Sequence, residues 1–292
     1  MYKLLAIDLD GTLLNSKGCI SEINKKALKE LTKKTDIEIV FNSGRQITTV
    51  ENFAKQIENI NYCICGNGSI IYDIKNNKKI YTNFLDKKDT LEIIKFCKKN
   101  DIYYNVYTED DILVESLQHN ILSFYKQNKE LSKDIQLNIK IKDDVYKYIE
   151  ENNVNILKIG ISHSDRIKLN KIFKELNNKE IDLLPVEGVS RKSYIEGKQK
   201  INIEYFYTEA IKKNSNKGYS LRKLVKYLNI NLNDIVAIGD NINDSSMIKD
   251  VGLGIALGNS TPSIMKIAKA VTLDNDNNGV AYAINKYIIN NE

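Results

Sequence analysis

Along the chain, short apolar runs alternate with stretches whose apolar residues recur every three to four positions, the pattern of βα units built around a parallel sheet. Residues 3–7 form the first buried run and residues 37–41 the second. Between them, Ser21-Glu22-Ile23-Asn24 marks a helix start, and Ile23, Ala27, Leu28 and Leu31 fall on one face of a helix reaching residue 33. A helix over 46–58 and a strand over 62–65 follow, and Gly66-Asn67-Gly68 turns the chain into a strand over 69–73. Asn-Gly between apolar runs is a hairpin signal.

Near residue 85 the pattern changes. Helical periods over 88–99, 117–126, 143–151 and 164–176 interleave with strand-like segments over 102–108, 156–161 and 193–207. The parallel pattern then returns: helix 217–228, strand 234–238, short helix 244–249, strand 253–256, helix 262–268, strand 271–273 and a closing helix over 279–289. The Asn/Lys-rich piece over 75–79 reads as a turn. The expectation is an α/β protein with a Rossmann-like parallel-sheet core, residues 1–84 and 208–292, into which an α+β domain, residues 85–207, is inserted.

Length agrees with this division, since 292 residues hold roughly two domains at about 150 residues each. Residues are 42% hydrophobic and 28% charged, which argues against a disordered or fibrous chain. No apolar run approaches the ~20 residues that span a bilayer, mean hydropathy is -0.37, and the start lacks a secretory apolar stretch. The reading is therefore cytoplasmic, with no membrane partner. The net charge of +5 is a mild excess, spread in pairs such as Lys33-Lys34 and Lys212-Lys213 that suit solvated faces, so no nucleic-acid partner is expected. Cys19, Cys63, Cys65 and Cys97 show no CxxC spacing and read as core residues or free thiols. With only two histidines, His119 and His163, catalysis has to run on carboxylates, lysine and hydroxyls.

In open α/β sheets, ligands bind beyond the carboxyl ends of the strands. Three polar clusters of this chain lie at such ends: Asp8-Leu9-Asp10-Gly11-Thr12, Asn42-Ser43-Gly44-Arg45, and Gly239-Asp240-Asn241-Ile242-Asn243-Asp244. Asp8, Asp10, Asp240 and Asp244 could therefore meet in one crevice. Like charges at 4 Å repel by about 4 kcal/mol per pair at an effective dielectric of 20, so a cation is needed among them. Oxygen donors without His or Cys favour a hard ion, Mg²⁺ before Ca²⁺.

These segments, with Lys217-Gly218, resemble the four motifs of the haloacid dehalogenase superfamily, most closely its Cof-type sugar-phosphatase branch, a segment of which Asn278-Gly279-Val280 also resembles. Cys65-Gly66-Asn67-Gly68 is similar to a segment of that branch as well. The likeness runs over the whole core in the right order. It implies that Asp8 is a nucleophile forming an aspartyl-phosphate, and that Asp10 protonates the leaving alkoxide and then activates water. Dehalogenating members of the superfamily lack an acid at the second position, so Asp10 points to phosphoryl transfer. The resemblance further implies Mg²⁺ on the Asp8 and Asp240 side chains and the Asp10 carbonyl, with Asp244 acting through water or from behind. It gives Lys217 the fixed positive charge on the transferring group, and gives hydrogen bonds to its oxygens to Ser43 and to the amides of Leu9, Gly44 and Asn243. Ser43 stands where the family more usually has Thr, and keeps the hydroxyl.

Ser43 and Lys217 are roughly 170 residues apart, room for two core elements and an inserted domain of about 120 residues. The resemblance implies that this domain is a cap that covers the crevice and sets specificity, with His119, Glu187, Arg191 and Lys192 as candidate contacts to the leaving group. The expected activity is Mg²⁺-dependent hydrolysis of a small phosphorylated metabolite, sugar phosphates first, by a monomer or weak homo-oligomer. The alternatives are a phosphomutase on the same core and a phosphate-responsive binding protein without turnover. Pure binding has no use for the acid/base Asp10.

Overall fold

In this computed structural model, residues 2–128, 136–176, 180–186 and 189–290 are described. The chain forms two compact units, Met1–Thr82 with Asn214–Glu292, and Asn83–Lys213.

Strands β1 (Leu4–Ile7), β2 (Glu38–Asn42), β3 (Tyr62–Cys65), β4 (Ile70–Asp73) and β5 (Lys78–Thr82) open the first unit, with helices α1 (Glu22–Lys34) and α2 (Ile47–Ala54) between them. The α1 start is the expected one, since the Ser21 hydroxyl accepts from the Asn24 amide. Helix α2 stops earlier than the apolar period suggests, and residues 55–58 are turns. Lys78 and Lys79 belong to β5 rather than to the turn; β5 sits at the sheet edge, where lysines discourage further pairing.

The second unit contains α3 (Lys87–Lys99), β6 (Tyr103–Thr108), β7 (Ile112–Val114), α4 (His119–Asn128), β8 (Ile139–Ile141), α5 (Val145–Glu151), β9 (Ile156–His163), α6 (Arg166–Glu175), β10 (Ile181–Leu183), β11 (Ser190–Glu196) and β12 (Gln199–Lys212). Its main sheet runs β10-β12-β9-β6-β7-β8, with β11 paired to β12. The single segment expected over 193–207 is thus a hairpin, turned at Gly197-Lys198, and its second strand continues to Lys212. That continuation is antiparallel to β9, from Phe206 opposite His163 to Ile211 opposite Lys158, and it moves residues 208–213 out of the first unit, where the sequence reading placed them. Residues 83 and 84 move with them. Helices α3, α5 and α6 cover one face of this sheet around Val106, Ile149, Ile159, Ile161 and Ile172.

The first unit resumes with α7 (Lys217–Tyr227), β13 (Ile235–Gly239), α8 (Ser245–Asp250), β14 (Leu253–Ala256), α9 (Pro262–Ile267), β15 (Ala270–Val271) and α10 (Gly279–Ala283), which passes into a π-helical turn over Ile284–Ile289. Its sheet runs β15-β14-β13-β1-β2-β3-β4-β5, parallel from β15 to β3 and antiparallel beyond. Every residue of β1 and β13 is buried, as expected for parallel strands covered on both faces. The β1 register pairs Ile7 with Ile238 on one side and with Phe41 on the other, so the ends of β1, β2 and β13 lie side by side. No helix among the described residues is long and apolar enough to cross a membrane.

Candidate active site

Strand β1 delivers Asp8 to the sheet edge, and a tight turn follows. The Thr12 and Leu14 amides donate to the Leu9 carbonyl, and the Leu13 amide to that of Asp8. Gly11 has φ +78°, and a Cβ there would lie 2.5 Å from Asp240 Oδ2, so this turn accepts only glycine against the neighbouring strand end. Thr12 Oγ1 donates to Asp240 Oδ1 at 2.6 Å, fixing that carboxylate beside Asp8. Asp8, Asp240 and Asp244 each bring one oxygen within 4.8 Å of the others.

Lys217 is the first residue of α7, whose cap is the Asn216 side chain accepting from the Tyr219 amide. Its ammonium is fully buried and lies 2.6 Å from Asp8 Oδ1 and 2.7 Å from Asp244 Oδ1. The other oxygen of Asp244 accepts from the Asp240 and Asn241 amides, both at 3.0 Å. Asp244 is therefore used on both oxygens by the protein itself. It fixes Lys217 and the turn after β13, and its oxygens still lie close enough to those of Asp8 and Asp240 to share an ion with them.

Asp10 does not join this cluster. Its carboxylate is gripped on both oxygens by Arg45, Nε to Oδ2 at 2.8 Å and Nη2 to Oδ1 at 2.7 Å, and it is more than half exposed. Ser43 is buried after β2, and its hydroxyl oxygen accepts from the Arg45 amide. Gly44 is required by close approach, because a Cβ would lie 2.8 Å from Asn67 Oδ1. Asn243 Nδ2 donates to that same Asn67 oxygen at 3.1 Å. Leu9 is fully buried in the turn that follows Asp8. Of the other candidates, Arg191 pairs in the open with Glu204 on the adjacent strand; Glu187 and the His119 side chain lie outside the described residues. Sequence reasoning assigned no role to Asn67 and did not see the Arg45–Asp10 grip. The Asn-Gly signal located the Asn67 turn but could not say what the turn touches.

Charge balance decides what the cluster can do. Burial, then Asp244, pushes Asp8 well above the ordinary carboxyl range, against the pull of Lys217. Burial and Asp244 likewise push Asp240 up to about 7, against the Thr12 hydrogen bond. Burial disfavours the Lys217 charge, yet Asp244 and Asp8 more than offset it and hold the ammonium above its usual value. With its three carboxylates ionised, the cluster would carry two negative charges beyond the Lys217 ammonium, and a divalent cation would close that imbalance. The donors are all oxygen, as a hard cation requires. A buried carboxylate beside a fixed ammonium can also attack an electron-poor centre from a dry, preorganised position.

The sequence pattern of one family, haloacid dehalogenase-like hydrolase, matches residues 5–284. A phosphatase of Bacillus subtilis, YwpJ, is 31% identical over 96% of this chain and 98% of its own length. The 5-amino-6-(5-phospho-D-ribitylamino)uracil phosphatase YcsE of the same organism is 27% identical over 98% of this chain and 96% of its own. A haloacid dehalogenase-like hydrolase structure from B. subtilis superposes with a TM-score of 0.77 at 28% identity, covering 98% of this chain and all of the other. With residues 5–284 inside one family pattern and phosphatases matching it from end to end, the chain belongs to the haloacid dehalogenase-like hydrolases and is a phosphoric monoester hydrolase.

Proposed function

We propose that the protein hydrolyses small phosphorylated metabolites, sugar or polyol phosphates first, through a phosphorylated Asp8 and with Mg²⁺. The observation that carries this reading is the burial of Asp8 at the end of β1, 2.6 Å from the Lys217 ammonium and beside Asp240. Asp8 and Asp240 side chains, with the Asp10 carbonyl, would hold Mg²⁺, which supplies positive charge against the phosphate dianion.

Lys217 holds the Asp8 carboxylate on one oxygen and leaves its second oxygen to attack. An Asp8 oxygen forms a bond to phosphorus as the bond to the substrate alkoxide breaks in line, and Asp10 gives its proton to that alkoxide. Water then loses a proton to Asp10 and attacks phosphorus, the acyl-phosphate bond breaks, and phosphate leaves with Asp8 regenerated. For this Asp10 has to leave the Arg45 grip seen here. Ser43 and the amides of Leu9, Gly44 and Asn243 donate hydrogen bonds to the transferring oxygens. The polyol preference is supported by YcsE, whose named substrate carries its phosphate on a ribityl chain.

Turnover of p-nitrophenyl phosphate with Mg²⁺ and with chelator tests the chemistry, and a panel of phosphorylated metabolites tests the substrate class. The expected result is Mg²⁺-dependent phosphate release that disappears in Asp8→Asn; activity retained in that variant sinks the mechanism.

A further inference from the structure

The turn Gly66-Asn67-Gly68 touches the loop after β2, the loop after β13 and the start of α7. The Gly66 amide donates to the Arg45 carbonyl at 2.9 Å, and the Asn67 amide to that of Ser43 at 3.1 Å. On the other side, Ser220 Oγ donates to the Gly68 carbonyl at 2.6 Å, and a Cβ on Gly68 would lie 2.6 Å from the Asn216 carbonyl, next to Lys217. All three residues have positive φ: 59°, 55° and 103°.

Glycine adopts such backbone freely, whereas an asparagine is held there at some cost. A third glycine would satisfy the backbone, so the Asn67 side chain needs its own account. Asn67 is buried, its Oδ1 fills the space above Gly44, and it accepts from Asn243 Nδ2 at 3.1 Å. Asn243 Oδ1 is itself buried without a partner among the described residues. The direction of the Asn243 amide is thus set by Asn67. An amide turned the other way would present oxygen, which repels a phosphoryl oxygen instead of donating to it.

We infer that Asn67 is a positioning residue for phosphate binding. Its Oδ1 holds the Asn243 amide with the nitrogen towards the Ser43-Gly44 loop, so that one N–H is spent on Asn67 and the second stays available to a phosphoryl oxygen. This rests on the phosphatase reading above, and the two fail in distinguishable ways. Absence of turnover in the unaltered protein defeats that reading, whereas the inference is decided by variants of an active enzyme.

The variant is Asn67→Gly, which keeps the left-handed backbone and removes only the amide. Steady-state kinetics on p-nitrophenyl phosphate should show KM rising about tenfold, the size expected for losing one hydrogen bond to a charged group. The inhibition constant of inorganic phosphate should weaken by about the same factor, with kcat moving much less. In an Asn243→Ala background, Asn67→Gly should add no further loss, because the residue acts through Asn243. Wild-type KM and phosphate inhibition in Asn67→Gly overturn the inference, as does a full additional loss in the Asn243→Ala background. A variant recovered unfolded also overturns it, since Asn67 would then serve the fold and not the site.

Discussion

Each unit buries a lysine against a carboxylate, and the two burials differ in their charge balance. In the second unit Lys158 lies 2.6 Å from Glu209, both nearly inaccessible. Tyr207 Oη donates to the same carboxylate at 2.8 Å, and the ammonium lies 4.6 Å from the centre of the Tyr107 ring. One positive charge meets one negative charge, and an aromatic face and a hydroxyl complete the surroundings. In the first unit Lys217 meets Asp8 and Asp244, with Asp240 close by. A balanced buried pair is a self-contained packing solution. An unbalanced one is costly unless a ligand completes it, and that surplus of negative charge separates a site from a piece of core.

The comparison can be broken most forcefully at Asp8. Asp8→Asn should leave the fold close to neutral in energy, because it removes one of the competing charges, and should cut turnover of p-nitrophenyl phosphate by at least ~10³-fold if Asp8 is the proposed covalent nucleophile. If Asn at this position is tolerated kinetically, the first unit's cluster is as structural as the second's.

Lys158→Met tests the other half. It strands Glu209 without its counter-charge, and denaturant unfolding should show a loss of about 3–5 kcal/mol. Lys158→Met with Glu209→Leu should regain much of it, since replacing both partners with apolar groups removes the orphaned charge. Stability unchanged in the single variant would mean that the buried pair contributes nothing to the second unit.

A third test follows pH in protein stripped of metal. Asp240, with an ordinary value of 3.8, is pushed up to about 7 by burial and Asp244. Below about pH 4 the carboxyl is protonated whether the chain is folded or unfolded, and its contribution is fully present. Between about pH 4 and 7 the unfolded chain ionises this carboxyl while the folded state keeps it protonated, so stability falls across that range and levels off above 7. Thermal melts from pH 4 to 8 with chelator should show that decline, and Mg²⁺ should flatten it by binding the folded state. Identical profiles with and without Mg²⁺ would remove the cation from the account. The smallest effect is expected at the exposed pair of Arg191 with Glu204. Arg191→Ala should change unfolding free energy by less than ~0.5 kcal/mol, setting the scale against which the buried pairs are read.

The core elements were legible because each follows from a local rule: Ser21 caps α1, the apolar run before Asp8 is β1, and Asn67 lies in a turn between apolar strands. The hairpin of β11 and β12 was not, because its polar, alternating residues carry a weaker burial signal than the parallel strands and blur into one segment. The same weakness hid the continuation of β12 to Lys212, which is stabilised by pairing with β9, some fifty positions away.

What the sequence determined by itself is the set of polar groups that follow apolar strands, Asp8, Ser43 and Asp240 among them, because burial drives each strand and a parallel sheet carries all its carboxyl ends to one edge. What only the tertiary structure decided is which group each of them faces: Asp10 on Arg45, Asp244 behind Lys217, Asn243 on Asn67. Charge and hydrogen-bond pairing depend on distances of about 3 Å through space, and residues far apart along the chain carry no local signal of such a meeting until β13 is laid beside β1.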